Sequence, residues 1–303
     1  MHSKKNDSVI MNNLLCEENT DSSLNKIPIQ LNFPDWENRP VGKIILQGKT
    51  LSVGFDTGSS SNVDMTLFLK GIKKIYGSEK KLIKKIYIES AKFKNKDKHS
   101  AYKEIKKALK RENGKSVVFH IDGMRILMVL GEDSVDGIVG INFLKKKCNK
   151  NFSIDYINKC IILDDEIISE NTTPLLPDTV LKGSFLIDFF IDGIKEQGLI
   201  DTGCNYFAYR KDILKEWISD KERREYINFN PIEEIKDTER IFSVINIAGV
   251  EYSNVQGLSS LDRNVVGSNW AKRNFQTING LGSPFFIGHK IQMDFENMEF
   301  RIK

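Results

Sequence analysis

The chain has 303 residues, 40% of them hydrophobic, enough for a substantial core arranged as one bilobal unit or two small domains. Its four cysteines, Cys16, Cys148, Cys160 and Cys204, show no Cys-x-x-Cys spacing and have no histidine beside them, which excludes a dense disulfide framework and gives no zinc signature. No apolar run approaches the roughly 18 residues of a membrane helix, and the net charge of +4, from 45 Lys and Arg against 41 Asp and Glu, conceals a strong local asymmetry.

Residues 1–27 are polar and mixed in charge, with apolar patches only at Val9–Met11 and Leu14-Leu15. These are too short for a secretory core, so the segment reads as a disordered leader and the expected location is the cytoplasm, where thiols stay reduced. The apolar runs on either side of Gly48 predict a hairpin whose second strand, through Leu51, Val53 and Phe55, ends at Asp56. Residues 70–115 then hold seventeen Lys and Arg against five acids, a net of +12, which leaves about −8 for the rest of the chain. Leu67, Phe68, Ile72, Ile75 and Tyr76 have helical spacing, as do Leu82, Ile83, Ile86 and Tyr87, and Ala101–Arg111 reads as a further helix. Lys-rich helices with one apolar face usually present a solvated basic surface. The sharper reading is an insert that frames a cleft and favours acidic peptides or another anionic partner, with nucleic acid ranking low because aromatic residues scarcely interleave.

Val117–Ile121 and Met124–Val129 flank Asp122-Gly123, a strong type I′ hairpin signal. Phe152–Tyr156 leads into Cys160–Leu163 as another hairpin, and Ser169–Lys182, with Pro174 and Pro177, suits a linker. Beyond it a hairpin turns at Gly193 and delivers Asp201; Asp212–Glu225 reads as a charged helix around Trp217; Asn228–Arg240 has no strong pattern. Ser243–Ile247 turns at Ala248-Gly249 into Val250–Val255, and Ile291–Phe295 turns into Glu299–Ile302. His2, His99, His120 and His289 show no ligand spacing and read as surface or turn residues.

Taken together these elements form an internal repeat. Asp56-Thr57-Gly58-Ser59 is echoed by Asp201-Thr202-Gly203-Cys204, each after an apolar strand and each with a turn glycine eight residues earlier. A second hairpin follows in both halves, then an apolar pair closed by glycine (Ile138-Val139-Gly140 and Gly280-Leu281-Gly282), then a closing hairpin with Asn158 or Asn297 three residues after an Asp. A lone Asp-Thr-Gly is weak evidence, because Asp before Thr or Gly commonly caps a turn. Five landmarks in one order imply that the halves share one fold.

This order resembles the aspartic peptidases over roughly residue 40 to the end, excluding the inserts. The lobes are compact like the retropepsin type and fused in one chain like the pepsin type. The resemblance implies a mainly β, bilobal, double-ψ-barrel-like fold with helical inserts: a first lobe over 28–168, a linker over 169–182 and a second lobe over 183–303. It also implies an endopeptidase, monomeric because the fused lobes need no partner, that binds an extended peptide in the inter-lobe cleft.

The chemistry needs no metal or organic cofactor. One carboxylate takes a proton from water while a neighbouring carboxylic acid protonates the scissile carbonyl, and two carboxyls about 3 Å apart share one proton because both cannot ionise comfortably; aspartic proteases are the standard example of this coupling. Asp56 and Asp201 are the expected dyad. Thr57 and Thr202 are expected to cross-brace the loops, Gly58 and Gly203 to permit close approach, and Ser59 to support Asp56 through its hydroxyl.

Two departures from the family pattern stand out. No glycine-tipped flap hairpin is evident between Asp56 and Val117; Gly77 and Gly114 lie in Lys-rich surroundings, Tyr76, Tyr87 and Tyr102 are the candidate flap tyrosines, and the lid is expected to be helical. Cys204 replaces the usual Ser or Thr, and a thiol is a weak donor, so Asp201 is expected to be the more easily protonated partner, with the thiol a conceivable oxidation switch. These departures motivate two alternatives: an inactive peptide-binding module of the same fold, and a basic scaffold that holds an anionic partner with the dyad vestigial.

Overall fold

The computed structural model describes residues 25–59, 63–89, 93, 95–110, 117–131, 133–178, 183–209, 239–259 and 279–303. Four two-residue turns organise its strands. Gln47-Gly48, Asp122-Gly123, Asp192-Gly193 and Ala248-Gly249 hold φ of 49° and 68°, 50° and 76°, 48° and 80°, and 49° and 90°. Positive φ at both positions is type I′ geometry, whose twist matches that of the strands it joins.

The first half runs β1 (Lys26–Gln30), β2 (Val41–Leu46), β3 (Lys49–Asp56), β4 (Met65–Leu67), α1 (Leu69–Tyr76), α2 (Glu79–Glu89), α3 (Lys98–Leu109), β5 (Val117–Ile121), β6 (Met124–Met128), β7 (Gly137–Gly140), α4 (Ile141–Lys147), β8 (Asn151–Asp155) and β9 (Cys160–Leu163). The second runs β10 (Thr172–Pro177), β11 (Phe185–Ile191), β12 (Ile194–Asp201), β13 (Phe207–Tyr209), β14 (Glu239–Ile247), β15 (Val250–Ser259), β16 (Asn279–Gly282), a 3₁₀ turn at Ser283–Phe285, β17 (Lys290–Asp294) and β18 (Glu299–Ile302). The fold is mainly β, as expected, with most of the helix in one insert.

The halves repeat each other strand for strand. β3 runs parallel to β7, while β4 runs parallel to β6 and antiparallel to β7. β12, β13, β15 and β16 reproduce all three relations. In consequence Asp56 ends β3 opposite Gly140, and Asp201 ends β12 opposite Gly282. The strands around both triplets are buried, with Val53, Phe55, Leu199 and Ile200 at 0% exposure, so the two loops hang from a packed core.

A six-stranded antiparallel sheet joins the halves in the order β1, β9, β8, β17, β18, β10. Ser153 faces Gln292 at the middle of its central pair. Gln292 is fully buried and its amide is satisfied: Nε2 donates to the Glu166 carbonyl at 2.9 Å, and Oε1 accepts from the Ile168 N–H at 3.1 Å. The outermost strands carry Pro28 and Pro174 at matching registers, opposite Cys160 and Glu299. Proline, which lacks an N–H, is tolerated at a sheet edge.

Two expectations differ from this architecture. β1 begins at Lys26, inside the segment read as leader, and β10 lies within the segment read as linker. Both cross from the central sheet to pair with the first hairpin of their half, β1 with β2 and β10 with β11. Residues 1–24, the charged segment Asp212–Glu225 and residues 228–238 lie outside the described residues.

The Lys-rich insert forms α1–α3. Ile72, Leu82, Ile83, Ile86, Ala101, Ile105 and Leu109 turn their apolar side chains into the main core. Lys74 pairs with the buried Asp136 at 2.5 Å, and that carboxylate also accepts the Ser52 N–H at 2.8 Å. At the start of α1 the Phe68 N–H donates to the Asp136 carbonyl at 3.0 Å, and at its end Tyr76 lies within reach of the charge of Asp122, which accepts the Gln47 N–H at the β2–β3 turn at 2.9 Å. α1 therefore runs from the level of Ser52 toward the end of β3 remote from Asp56, which makes it a buttress for the lobe where a lid was expected. The candidate flap tyrosines hold the insert together: Tyr87 and Tyr102 pack edge to face at 5.6 Å, and Tyr76 is half-buried with its phenol pushed up to about 12, chiefly by burial.

Candidate active site

The two triplets meet at the junction of the halves, and four hydrogen bonds lock them. The Thr57 hydroxyl donates to the Ile200 carbonyl at 2.7 Å and accepts the Thr202 N–H at 3.1 Å. The Thr202 hydroxyl donates to the Phe55 carbonyl at 2.8 Å and accepts the Thr57 N–H at 3.1 Å. Thr57 is 1% and Thr202 0% exposed, so each hydroxyl satisfies two backbone groups of the opposite strand that no water reaches.

The glycines set the separation of the acids. A Cβ built on Gly58 would sit 2.6 Å from Asp201 Oδ2, and one built on Gly203 would sit 2.6 Å from Asp56 Oδ2. Each glycine thus packs against the carboxyl of the other half, where any larger residue would displace it. Each also donates its N–H to the Asp two residues before it, at 2.9 Å in the first half and 3.1 Å in the second.

Asp56 and Asp201 are hydrogen-bonded to each other. Burial raises Asp56 above the ordinary carboxylate range, opposed by the bond from Asp201, the Gly58 and Ser59 N–H groups and the charge of Arg39. Burial raises Asp201 well above that range, reinforced by the charge of Asp56 and by the bond to it, against the Gly203 and Cys204 N–H groups. Both acids are thus held above the ordinary carboxylate range, Asp201 the further of the two, and as a coupled pair they share one proton.

The residue after each triplet supports its acid otherwise than expected. The Ser59 N–H donates to the Asp56 main-chain carbonyl at 3.2 Å, which turns it toward the carboxyl side of the loop, and its hydroxyl lies against Gly140. The Cys204 N–H likewise donates to the Asp201 main-chain carbonyl, at 3.0 Å, and its thiol is directed to the Tyr206 carbonyl at 3.4 Å. Serine and cysteine therefore do equivalent work at this position. Burial and the neighbouring carboxylates push the Cys204 thiol far above its usual range, which leaves almost no thiolate to act as an oxidation switch.

Several residues of the site carry no local sequence signal. The Arg39 guanidinium stacks over Trp36 at 4.5 Å, hydrogen-bonds the Asp35 carbonyl and reaches the Gly203 carbonyl at 3.4 Å. Trp36 is pinned by its indole N–H to Asp133 at 3.0 Å and lies where Gly54 leaves room for its ring. Ser283 donates to the Thr202 carbonyl at 2.6 Å and is itself 3.3 Å from the Tyr156 hydroxyl, a buried link from the second triplet to the central sheet. Trp36 and Arg39 could have been found only as aromatic and cationic residues just ahead of the first hairpin. Tyr156 was visible as part of the repeated Asp-aromatic step, whose Asp155 and Asp294 accept from Asn158 and Asn297 in matching turns.

No protein-family model and no curated protein matches the chain. Among solved structures, a retropepsin-like aspartic protease from Rickettsia conorii matches with 17% identity and a TM-score of 0.25, over 41% of this chain and 90% of that one. Among the described residues, no group of three or more His, Cys, Asp or Glu is placed to hold a metal ion, and no helix is long and apolar enough to cross a membrane.

Proposed function

We propose that the chain is an aspartic endopeptidase in which Asp56 and Asp201 act as one proton-sharing dyad. The observation that carries this reading is the pair of adjoining, mutually hydrogen-bonded carboxyls at the ends of β3 and β12, cross-braced by Thr57 and Thr202 and packed on Gly58 and Gly203. An ordinary turn-capping Asp has no use for a second Asp held against it, since burying two carboxyls together costs stability unless their shared proton is used.

In this reaction Asp56, as carboxylate, takes a proton from a water positioned between the acids, and the water oxygen bonds to the scissile carbonyl carbon. Asp201 gives its proton to the carbonyl oxygen, so the intermediate is a neutral gem-diol with Asp56 protonated and Asp201 ionised. Collapse of the intermediate breaks the C–N bond as Asp56 passes its proton to the leaving nitrogen. Asp201 then recovers the diol proton as the new carboxyl group forms, which restores the dyad.

Cleavage of a diverse peptide library from pH 3 to pH 8, with and without a statine-type mimic of the gem-diol, tests the proposal. Expected is hydrolysis that the mimic blocks, while chelators leave it unchanged. Peptides bound but never cut would move the chain to the peptide-binding module. Steeply salt-dependent binding of an anionic partner that survives Asp56→Asn would favour the basic scaffold instead.

A further inference from the structure

Between halves that repeat each other so closely, one charge breaks the symmetry. Val41 pairs with Gly54 and Leu186 with Leu199, each partner lying two residues before its catalytic-triplet Asp, so Ser184 occupies in the second half the place that Arg39 holds in the first. Arg39 extends across the junction to the Gly203 carbonyl, and Gly203 is the residue whose Cα packs on the Asp56 carboxyl. Its remaining contacts are the neutral Asp35 carbonyl and the face of Trp36, and its Nε is buried without a hydrogen-bond partner. Among the described residues Arg39 forms no ion pair, so its charge is left for the dyad.

From this placement we propose that Arg39 is a positioning residue that fixes the polarity of the dyad, holding Asp56 as the base and leaving the shared proton on Asp201. The inference rests on the dyad described above, but not on its being active.

Beyond the difference in burial, no other charged side chain facing the pair adds to this bias. Around Asp201 stand Cys204, Tyr206 and Tyr156, and burial pushes all three up, so they are uncharged wherever a protein of this kind would work. Around Asp56 the charged groups are Asp201 and Arg39. A guanidinium stays charged at any working pH, and in a water-poor junction the field of Arg39 on the Asp56 carboxyl favours the carboxylate. Trp36 holds the guanidinium by its ring face, so the charge stays fixed without a carboxylate partner that would neutralise it.

The direct test is a titration of the aspartate carboxyl carbons by NMR in the wild type, Arg39→Lys and Arg39→Met, with peptide hydrolysis measured on the same samples. The wild type should show Asp56 ionising first and Asp201 holding its proton to higher pH. Arg39→Met should raise the Asp56 midpoint and bring the two together, and Arg39→Lys should restore most of the separation. In kcat/KM the acid limb of Arg39→Met should move to higher pH, with a loss of about threefold to tenfold on that limb and far less on the plateau. Backbone amide spectra report whether each variant is folded, and Arg39→Lys carries the test if Arg39→Met is not: a wild-type titration with Asp201 ionising first overturns the proposal by itself. An unchanged order and separation in folded Arg39→Met overturns it too. If the titrations behave as described while no variant cuts any peptide, the peptidase reading fails and the polarity inference stands.

Discussion

Replacing Thr202 with valine keeps the shape of the side chain and removes only its hydroxyl. That hydroxyl serves two backbone groups of the opposite half, the Phe55 carbonyl at 2.8 Å and the Thr57 N–H at 3.1 Å, in a place with no access to water. A buried polar group left without a partner costs about 1–3 kcal/mol, and an added buried methyl returns about 0.8 kcal/mol, so the net loss is about 1–5 kcal/mol. For a chain of this size that is a drop of roughly 3–15 °C in Tm. Urea denaturation followed by tryptophan fluorescence and circular dichroism measures it, with Thr202→Ser as the control that keeps both hydrogen bonds. The account expects Thr202→Val to be the clearly weaker protein. A loss below about 0.5 kcal/mol, or one no larger than that of Thr202→Ser, would refute the assignment of these bonds as the clamp between halves.

Further outcomes follow from the same geometry. Gly203→Ala places a methyl 2.6 Å from Asp56 Oδ2 and should reduce kcat/KM by at least about a hundredfold while circular dichroism stays near wild type; near-normal turnover would contradict the packing of that glycine on the acid. Asp201 has a folded-state value raised well above the ordinary one of about 3.9, so its contribution to stability is fully present below that ordinary value and is lost as pH rises through the raised one. Asp201→Asn, which cannot ionise, should therefore match the wild type near pH 3.5 and become the more stable protein as pH rises toward 7, and melting curves showing the opposite trend would reverse the sign of the argument. Asp136→Ala strands the part-buried Ser52 N–H and frees Lys74, so it should cost about 1–3 kcal/mol and open the α1–α3 insert to limited proteolysis. Lys74→Met, at the half-exposed end of the same pair, should cost less than about 1 kcal/mol.

The hairpins were legible because their turns are chemically explicit. Gly at the second position of four type I′ turns, between runs of alternating burial, marks both the turn and the register. The pairing of Asp56 with Asp201 was legible because the repeat carries both triplets in one setting, and it is the repeat, more than either triplet, that placed them face to face. β1 and β10 were missed for one shared reason. Each is a short edge strand with a proline, one in a polar leader and the other in a polar linker, and each exists only because β9 or β18 and the first hairpin offer it partners. β4 and β13, at three residues each, have no periodicity to read, and Leu67 was drawn into the helical pattern of α1 although it ends β4. Arg39 lies 164 residues from the glycine whose carbonyl it reaches, and only the closed junction brings that contact into being.

The central claim is that the two acids work as one unit, and kcat/KM for Asp56→Asn, Asp201→Asn and the double variant on one cleaved peptide tests it most directly. Groups that share a single proton are strongly non-additive, so each single variant should lose at least about a thousandfold and the double variant little more than either. Substantial cleavage surviving in either single variant, or losses that multiply in the double, would contradict the account.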